Sequence, residues 1–334
     1  MKFFKEKIKR LIIIGMNDLA CEAVHFCNEN RVEPIVISGQ RFRDLQSLED
    51  GFSTCYERMN SMGVKVIEFS DINRQLLEEY YCEDSAMFSF DSPFIIKKEV
   101  IELFRGVIFN EHGAHLPHGK GGGGFSWRIM EGDLEGNVLF HILVEDIDAG
   151  PIVYQTPFTF PEACRKPLDY INYQHGKSRE GLYCFLGLLK NNHEFKVIEQ
   201  DNYFESYMPR LHTATQAYID WSWDVEHIYR YILAFSEPYQ GAKSYINGRK
   251  VYLYDAYVDK KVVHTHPYKY GIIFSIDDDN LKIACNGGSL VVSKYNIDGN
   301  YRPQLGDRFY TPDSILNDIY SSRVIYTADG LKES

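Results

Sequence analysis

The chain has 334 residues, a formal net charge of -11 at pH 7, 44% hydrophobic and 14% aromatic residues. That length exceeds the usual single domain and predicts two, while the composition excludes a disordered, collagen-like or coiled-coil chain. The acid surplus repels polyanions, so nucleic acid is a poor default partner: phosphate binding needs clustered Lys and Arg.

The amino terminus has a basic start followed by an apolar run, Leu11 to Met16, too short for a signal-peptide core. No uncharged apolar stretch is long enough to span a bilayer, so a cytoplasmic protein with no membrane partner is expected. Residues 11–15 (LIIIG) read as a buried strand, 19–30 as a helix and 34–39 (PIVISG) as a second strand. A helix in TCYERMNSMG leads to a strand at 64–69, a helix at 71–80, a strand at 86–90 (AMFSF), a helix at about 95–104 and a strand at 106–110 (GVIFN). Repeated βα units predict an α/β fold, a mostly parallel Rossmann-like sheet with helices on both faces. Ligands of such sheets gather at the carboxyl ends of the strands, here after Phe90 and from Asn110 onward. The first βα turn, GMNDLA (15–20), has one glycine where a dinucleotide fingerprint needs three.

From about residue 207 the pattern changes to short strands at 250–258, 270–276, 280–285 and 289–295, separated by NG, DDDN, NGG and DG turn signals and preceded by a helix at about 223–235. This predicts a smaller antiparallel β carboxy-terminal domain, an OB-like barrel, and a division into 1–206 and 207–334. The seven cysteines are scattered, odd in number and never in a CxxC, which disfavours a disulfide framework or zinc knuckle and suits a reducing compartment.

Unusual residues concentrate in FNEHGAHLPHGKGGGGFSWRIMEGD (109–133) and GNVLFHILVEDIDAGPIV (136–153). Gly and Pro forbid a regular helix through 113–124, so His112, His115 and His118 share no helical face. A phosphate-binding loop fails, because Lys120 is followed by Gly121 rather than Ser or Thr and Ala114 stands where a glycine is needed. A metal site from His112, His115, His118, His141 and Asp148 matches no common zinc spacing. Metal-free acid–base chemistry remains: a histidine, a carboxylate to orient it and an amide to hold a developing oxyanion.

The Asn110–x–His112 pair, Leu116-Pro117, the glycines with Trp127, and Ile147-Asp148-Ala149-Gly150 resemble the 10-formyltetrahydrofolate-dependent formyltransferases. The segment SFDSPFIIKKEVI (89–101), IDWSWDVEH with the later PY-GA and NG elements (219–256), and GDRFYTP (306–312) extend the resemblance over most of the chain. It implies Asn110, His112 and Asp148 as the catalytic triad, and Phe88, Ser89, Phe90, Asp91 and Asp146 as the co-substrate contacts. Gly121, Gly122, Gly123 and Trp127 are implied at the acceptor pocket. It further implies N10-formyltetrahydrofolate as co-substrate, no metal, and a homodimer.

Within that family the expected acceptor is the primary amine of a nucleotide-linked amino sugar for lipopolysaccharide or O-antigen synthesis. The alternatives are a methionyl-tRNA formyltransferase and a 10-formyltetrahydrofolate hydrolase. Transfer RNA is disfavoured because Arg41 and Arg43 of SGQRFRDLQSLEDG (38–51) are offset by Asp44, Glu49 and Asp50. In this reading Asn110 donates to the oxyanion, His112 either removes the amine proton or, if charged, assists the oxyanion, and Asp148 fixes the His112 tautomer or acts through a water.

Overall fold

A computed structural model describes the chain except Ser70, 93–95, Gly123, Thr265, Asn300, Arg323, 328–329 and 333–334, and gives the backbone alone at Arg41, 326–327 and 330–332. The first part runs β1 (Arg10–Ile14), α1 (Asp18–Asn30), β2 (Glu33–Ser38), α2 (Cys55–Ser61), β3 (Val66–Glu68), α3 (Arg74–Glu78), β4 (Ser85–Ser89), α4 (Lys98–Leu103) and β5 (Ile108–His112). It continues with α5 (Gly124–Glu131), β6 (Glu135–Ile142), β7 (Ile152–Thr159) and α6 (Pro167–Lys190). The strands form one sheet in the order β3-β2-β1-β4-β5-β6-β7. β3 to β5 are parallel; β6 and β7 extend the sheet antiparallel.

Strand periodicity explains why both faces are covered. Leu11 and Ile13 join Val36, Phe88, Phe109 and Phe140 in a core with α1 and α6, while Ile12 and Ile14 join Ile37, Met87 and Ile108 in a second core with α3 and α4. Strand order reverses between β1 and β4, so a crevice opens at their carboxyl ends.

The alternating βα pattern places β1 to β5 where the sequence predicts them, with β3 and α3 shorter than expected. β6, β7, α5 and α6 carry weaker signals. β7 contains Pro157, tolerated because this is an edge strand. α6 spans 24 residues yet contains Gly176, Gly181 and Gly187, which read as breakers. One of them has a packing reason: a Cβ at Gly181 would lie 2.6 Å from Val138 Cγ1, so the glycine lets α6 press onto β6.

The second part contains α7 (Thr213–Gln216), α8 (Val225–Ala234), β8 (Ala242–Ile246), β9 (Arg249–Asp259), β10 (Ile273–Asp277), β11 (Asn280–Cys285), β12 (Gly288–Ile297), β13 (Phe309–Tyr310), α9 (Asp313–Ser321), β14 (Ile325–Thr327) and β15 (Gly330–Lys332). Six strands form a curled antiparallel half-barrel in the order β10-β11-β12-β9-β8-β13. Its ends approach where Ile273 N donates to Asp307 O and Phe309 N to Gly271 O, both at 2.8 Å. α8 starts at Asp224, whose carboxylate accepts from the backbone of Glu226 and His227, and buries Ile228 and Ile232 in this second unit's core. Ile129 of α5, Phe160 just after β7 and Tyr170 of α6 belong to the same core, and Ser126 Oγ donates to Ala234 O at 2.8 Å. The two sheets are thereby held against each other through α5 and α8. No helix among the described residues is long and apolar enough to cross a membrane.

Candidate active site

Asn110 and His112 stand two positions apart on β5, so both project to one side of the sheet. Asn110 is flanked by Ser89 of β4 and by His141 of β6. Asp148 arrives from the loop between β6 and β7. It has a left-handed backbone (φ 48°), and Gln200 Nε2 clamps that loop by donating to Asp148 O at 2.8 Å and Gly150 O at 2.7 Å.

The polar contacts fix the protons. His112 Nε2 lies 3.0 Å from Gly119 O, which can only accept, so Nε2 carries the hydrogen. Its Nδ1 then faces Asp148 Oδ2 at 3.8 Å, and a proton gained there makes an imidazolium beside a carboxylate. His141 Nδ1 likewise donates to Ile142 O at 3.1 Å, and its Nε2 lies 3.2 Å from Asn110 Nδ2 and 3.6 Å from Asp148 Oδ1. Asn110 Nδ2 gives its other hydrogen to Glu111 O at 3.1 Å.

Asp148 is built to stay ionised. Burial alone would raise its pKa, but His141 (Nε2 at 3.6 Å from Oδ1), His112 and the Gly121 amide donating to Oδ2 at 2.8 Å outweigh burial and hold it at about 2. His112 is shifted down: burial, the largest effect, and His141 outweigh the attraction of Asp148. A neutral imidazole next to a fixed carboxylate can accept a proton and stabilise the cation that results.

The glycine segment is held by a stretch the sequence did not mark. Lys120 N donates to Ser206 O and Met208 N to Lys120 O, both at 2.9 Å, while Lys120 Nζ pairs with Glu205 at 2.8 Å. Gly121 (φ 93°) is required twice, since a Cβ would meet Tyr207 Cε2 at 2.5 Å and Met208 O at 2.8 Å. A Cβ on Gly122 would lie 3.2 Å from that of Arg210. Gly123 lies outside the described residues. Trp127, on α5, donates from Nε1 to Pro209 O at 2.8 Å and lines the cleft.

The cleft holds about 1350 Å³, beyond the ~300–1,000 Å³ that suits one drug-sized ligand, and so has room for two substrates. Asn110, His112, Asp148, Ser89, Asp91, Asp146, Gly121, Gly122 and Trp127 all line it. Phe88 and Phe90 do not. Their rings are buried in the aromatic core, stacked 5.7 Å apart. His112, His141 and Asp148 converge, yet no group of three or more His, Cys, Asp or Glu among the described residues is placed to hold a metal ion.

Two functional-looking residues escaped the sequence reading. His141 entered it only as a metal ligand, although a lone histidine in the apolar run VLFHIL marks a buried polar partner. Glu111 escaped altogether, although an acid at the end of GVIFN was a visible departure from a buried strand.

Comparison with known proteins agrees with this fold. Residues 212–304 match the model of the formyl transferase C-terminal domain. The chain is 28% identical over 201 residues to methionyl-tRNA formyltransferase of Pseudothermotoga lettingae, a match covering 60% of this chain and 63% of that protein, so less than two thirds of the relative's length is spanned. Among solved structures, an N-formyltransferase from Helicobacter canadensis in complex with folinic acid and dTDP-3-aminofucose has a TM-score of 0.66 at 20% identity, covering 86% of this chain and all (100%) of that one. The sugar 3N-formyl transferase WlaRD, solved in the presence of dTDP and 5-N-formyl-THF, has a TM-score of 0.65 at 20% identity, covering 89% and 100%.

Proposed function

We propose that this chain, which belongs with the formyltransferases by its C-terminal domain and by its fold, transfers a formyl group from N10-formyltetrahydrofolate to the primary amine of a nucleotide-linked amino sugar. The observation that carries this reading is the convergence of Asn110, His112 and Asp148 on one large cleft at the carboxyl end of a parallel sheet. We take 1–206 as the transfer unit and 207–334 as its β-rich companion.

The residues fit such a donor. Asp91 and Asp146 can accept from the amino groups of a pterin, beside the apolar surface of Leu143 and Val144. As the amine nitrogen attacks the formyl carbon, charge develops on the formyl oxygen. Asn110 Nδ2 can turn the hydrogen it now gives Glu111 O toward that oxygen while His141 holds its other one. His112 takes the amine proton on Nδ1, and the ionised Asp148 stabilises the imidazolium.

A small acceptor is favoured over transfer RNA. The chain is acidic overall, and Arg43 is engaged with Glu68 and lies 5.0 Å over the Tyr56 ring. The structural neighbours are described with dTDP and dTDP-3-aminofucose, which favours a nucleotide-linked sugar, with surface polysaccharide synthesis as the setting.

The test mixes purified protein with 10-formyltetrahydrofolate and a panel of amino-sugar nucleotides, with mass spectrometry reading a formyl group gained in place of an amine hydrogen. Formylation of one sugar is expected, and its loss in His112→Ala. Formylation of methionyl-tRNA alone, or formate release without a formylated product, would replace this reading with one of the two alternatives.

A further inference from the structure

Asp148 serves His112 only while its carboxylate faces Nδ1, and it sits near the end of an irregular loop, 143–151. Its left-handed backbone (φ 48°) is one that Asp adopts more readily than most residues, yet it persists only where the surroundings fix it. Gly150 turns the loop back against β6. A Cβ there would lie 1.7 Å from Ile142 O, and Ile142 N donates to Pro151 O at 2.9 Å. Between that pinch and the carboxylate, the main chain of 148–150 is held by Gln200.

Gln200 gives both hydrogens of its amide to this loop, to Asp148 O at 2.8 Å and to Gly150 O at 2.7 Å. The amide cannot be turned over, because its oxygen would then face two carbonyl oxygens. Gln200 Oε1 is buried without a hydrogen-bond partner, so the clamp is kept although it leaves an acceptor unpaired. The clamp is itself anchored. Ile198 and Ile152 exchange backbone hydrogen bonds at 2.8 and 2.9 Å, which fixes the chain just before Gln200 onto the start of β7. Farther on, Ser206 Oγ accepts from Gly119 N and Ser206 O from Lys120 N, both at 2.9 Å. Those bonds set the next amide, Gly121 N, 2.8 Å from Asp148 Oδ2. Residues 198–208 thus brace Asp148 twice, its backbone through Gln200 and its carboxylate through the glycine segment.

We infer, on the transferase reading given above, that Gln200 is a positioning residue for the transfer step: it stays outside the cleft, and by fixing 148–150 it decides whether His112 has a carboxylate beside it. Without the clamp, the backbone of 148–150 relaxes and Asp148 turns away from His112, His141 and Gly121 N. The donor side of the loop is tied separately. Leu143 N donates to Ile108 O at 2.8 Å and Lys98 pairs with Glu145 at 3.0 Å, so Asp146 keeps its place.

Gln200→Met removes both hydrogen bonds with little change of shape, and Gln200→Glu presents an ionised group that can only accept. Folinic acid binding controls for folding. In both variants kcat is expected to fall roughly ten- to hundredfold, as for a catalytic group misplaced by about 1 Å, with both KM values held within about threefold. In an Asp148→Asn background Gln200→Met should cost less than about twofold, because the carboxylate it positions is already gone. The full loss in that background, or a rise in KM in place of the fall in kcat, overturns the assignment. The His112 titration followed by NMR reads the same displacement without turnover. Asp148, His141, Asp91 and Gly119 O act on that imidazole, and of these Asp148 alone should move. The His112 pKa should therefore fall in Gln200→Met as it does in Asp148→Asn. An unchanged titration in folded Gln200→Met overturns the assignment whatever reaction the protein performs. A wild type that formylates no amine, with the titration shifting as expected, defeats the transferase reading alone.

Discussion

Replacing Asp148 with Asn separates charge from shape at the centre of the site. The left-handed backbone of residue 148 suits Asn as well as Asp, and an amide oxygen can still accept from Gly121 N, so the substitution removes little besides the negative charge. That charge stabilises the fold, because the carboxyl pKa falls from 3.8 to about 2 on folding. A depressed folded-state pKa contributes stability above the unfolded-state value, and loses it as pH falls through the folded-state value. The difference corresponds to about 2–3 kcal/mol at pH 7 and to about half of that at pH 3. Urea denaturation of wild type and Asp148→Asn at both pH values measures this. The variant is expected to be less stable by about 2–3 kcal/mol at neutral pH, with the gap narrowing toward acid. Loss of the carboxylate also lowers the pKa of His112 further, so the acid limb of kcat/KM moves to lower pH while its plateau drops. A variant as stable as wild type at pH 7, or a gap that widens on acidification, would refute the electrostatic account of this site.

Gly121→Ala should cost about 1–3 kcal/mol and lower kcat/KM, because its Cβ collides with Tyr207 and Met208 and pulls the amide away from Asp148. Gly124→Ala, also at positive φ (58°) but with nothing within 4 Å, is the control, and equal thermal shifts for the two would contradict the steric argument. Arg58→Met should destabilise the fold by ~3 kcal/mol in denaturant titration, since Arg58 pairs with Asp18 at 3.1 Å and with the fully buried Glu22. The loss belongs at the low end of the range for a broken buried pair: Glu22 keeps Arg179 and Tyr183, and Asp18 keeps Ser47 and Leu48. A loss below about 1 kcal/mol would mean that those remaining partners suffice.

What could be read from the sequence follows from how local each signal is. The βα units were visible because one face of each strand and helix repeats at its own period, and β1 to β5 lie where that pattern puts them. β7 and α6 were hidden because tertiary contacts overrule their propensities: Pro157 is harmless only on an edge, and Gly181 only where α6 meets β6. The same division runs through the site. Asn110 and His112 stand two residues apart on one strand, so their partnership is written in spacing. The contacts of His141 and Glu111 depend on register and on packing across the sheet, through Asn110 opposite His141 and Ser178 reaching Glu111 over 67 residues of sequence. From local signals the glycine run was legible only as a stretch that cannot form regular helix. Its conformation is set by 205–208, which follows α6 and pairs back onto Lys120. Neighbouring groups on one strand can thus be read directly, whereas groups brought to the cleft by elements joined only by the fold, such as 205–208, cannot. For this reason acceptor specificity is the part of the function that local sequence signals carry least.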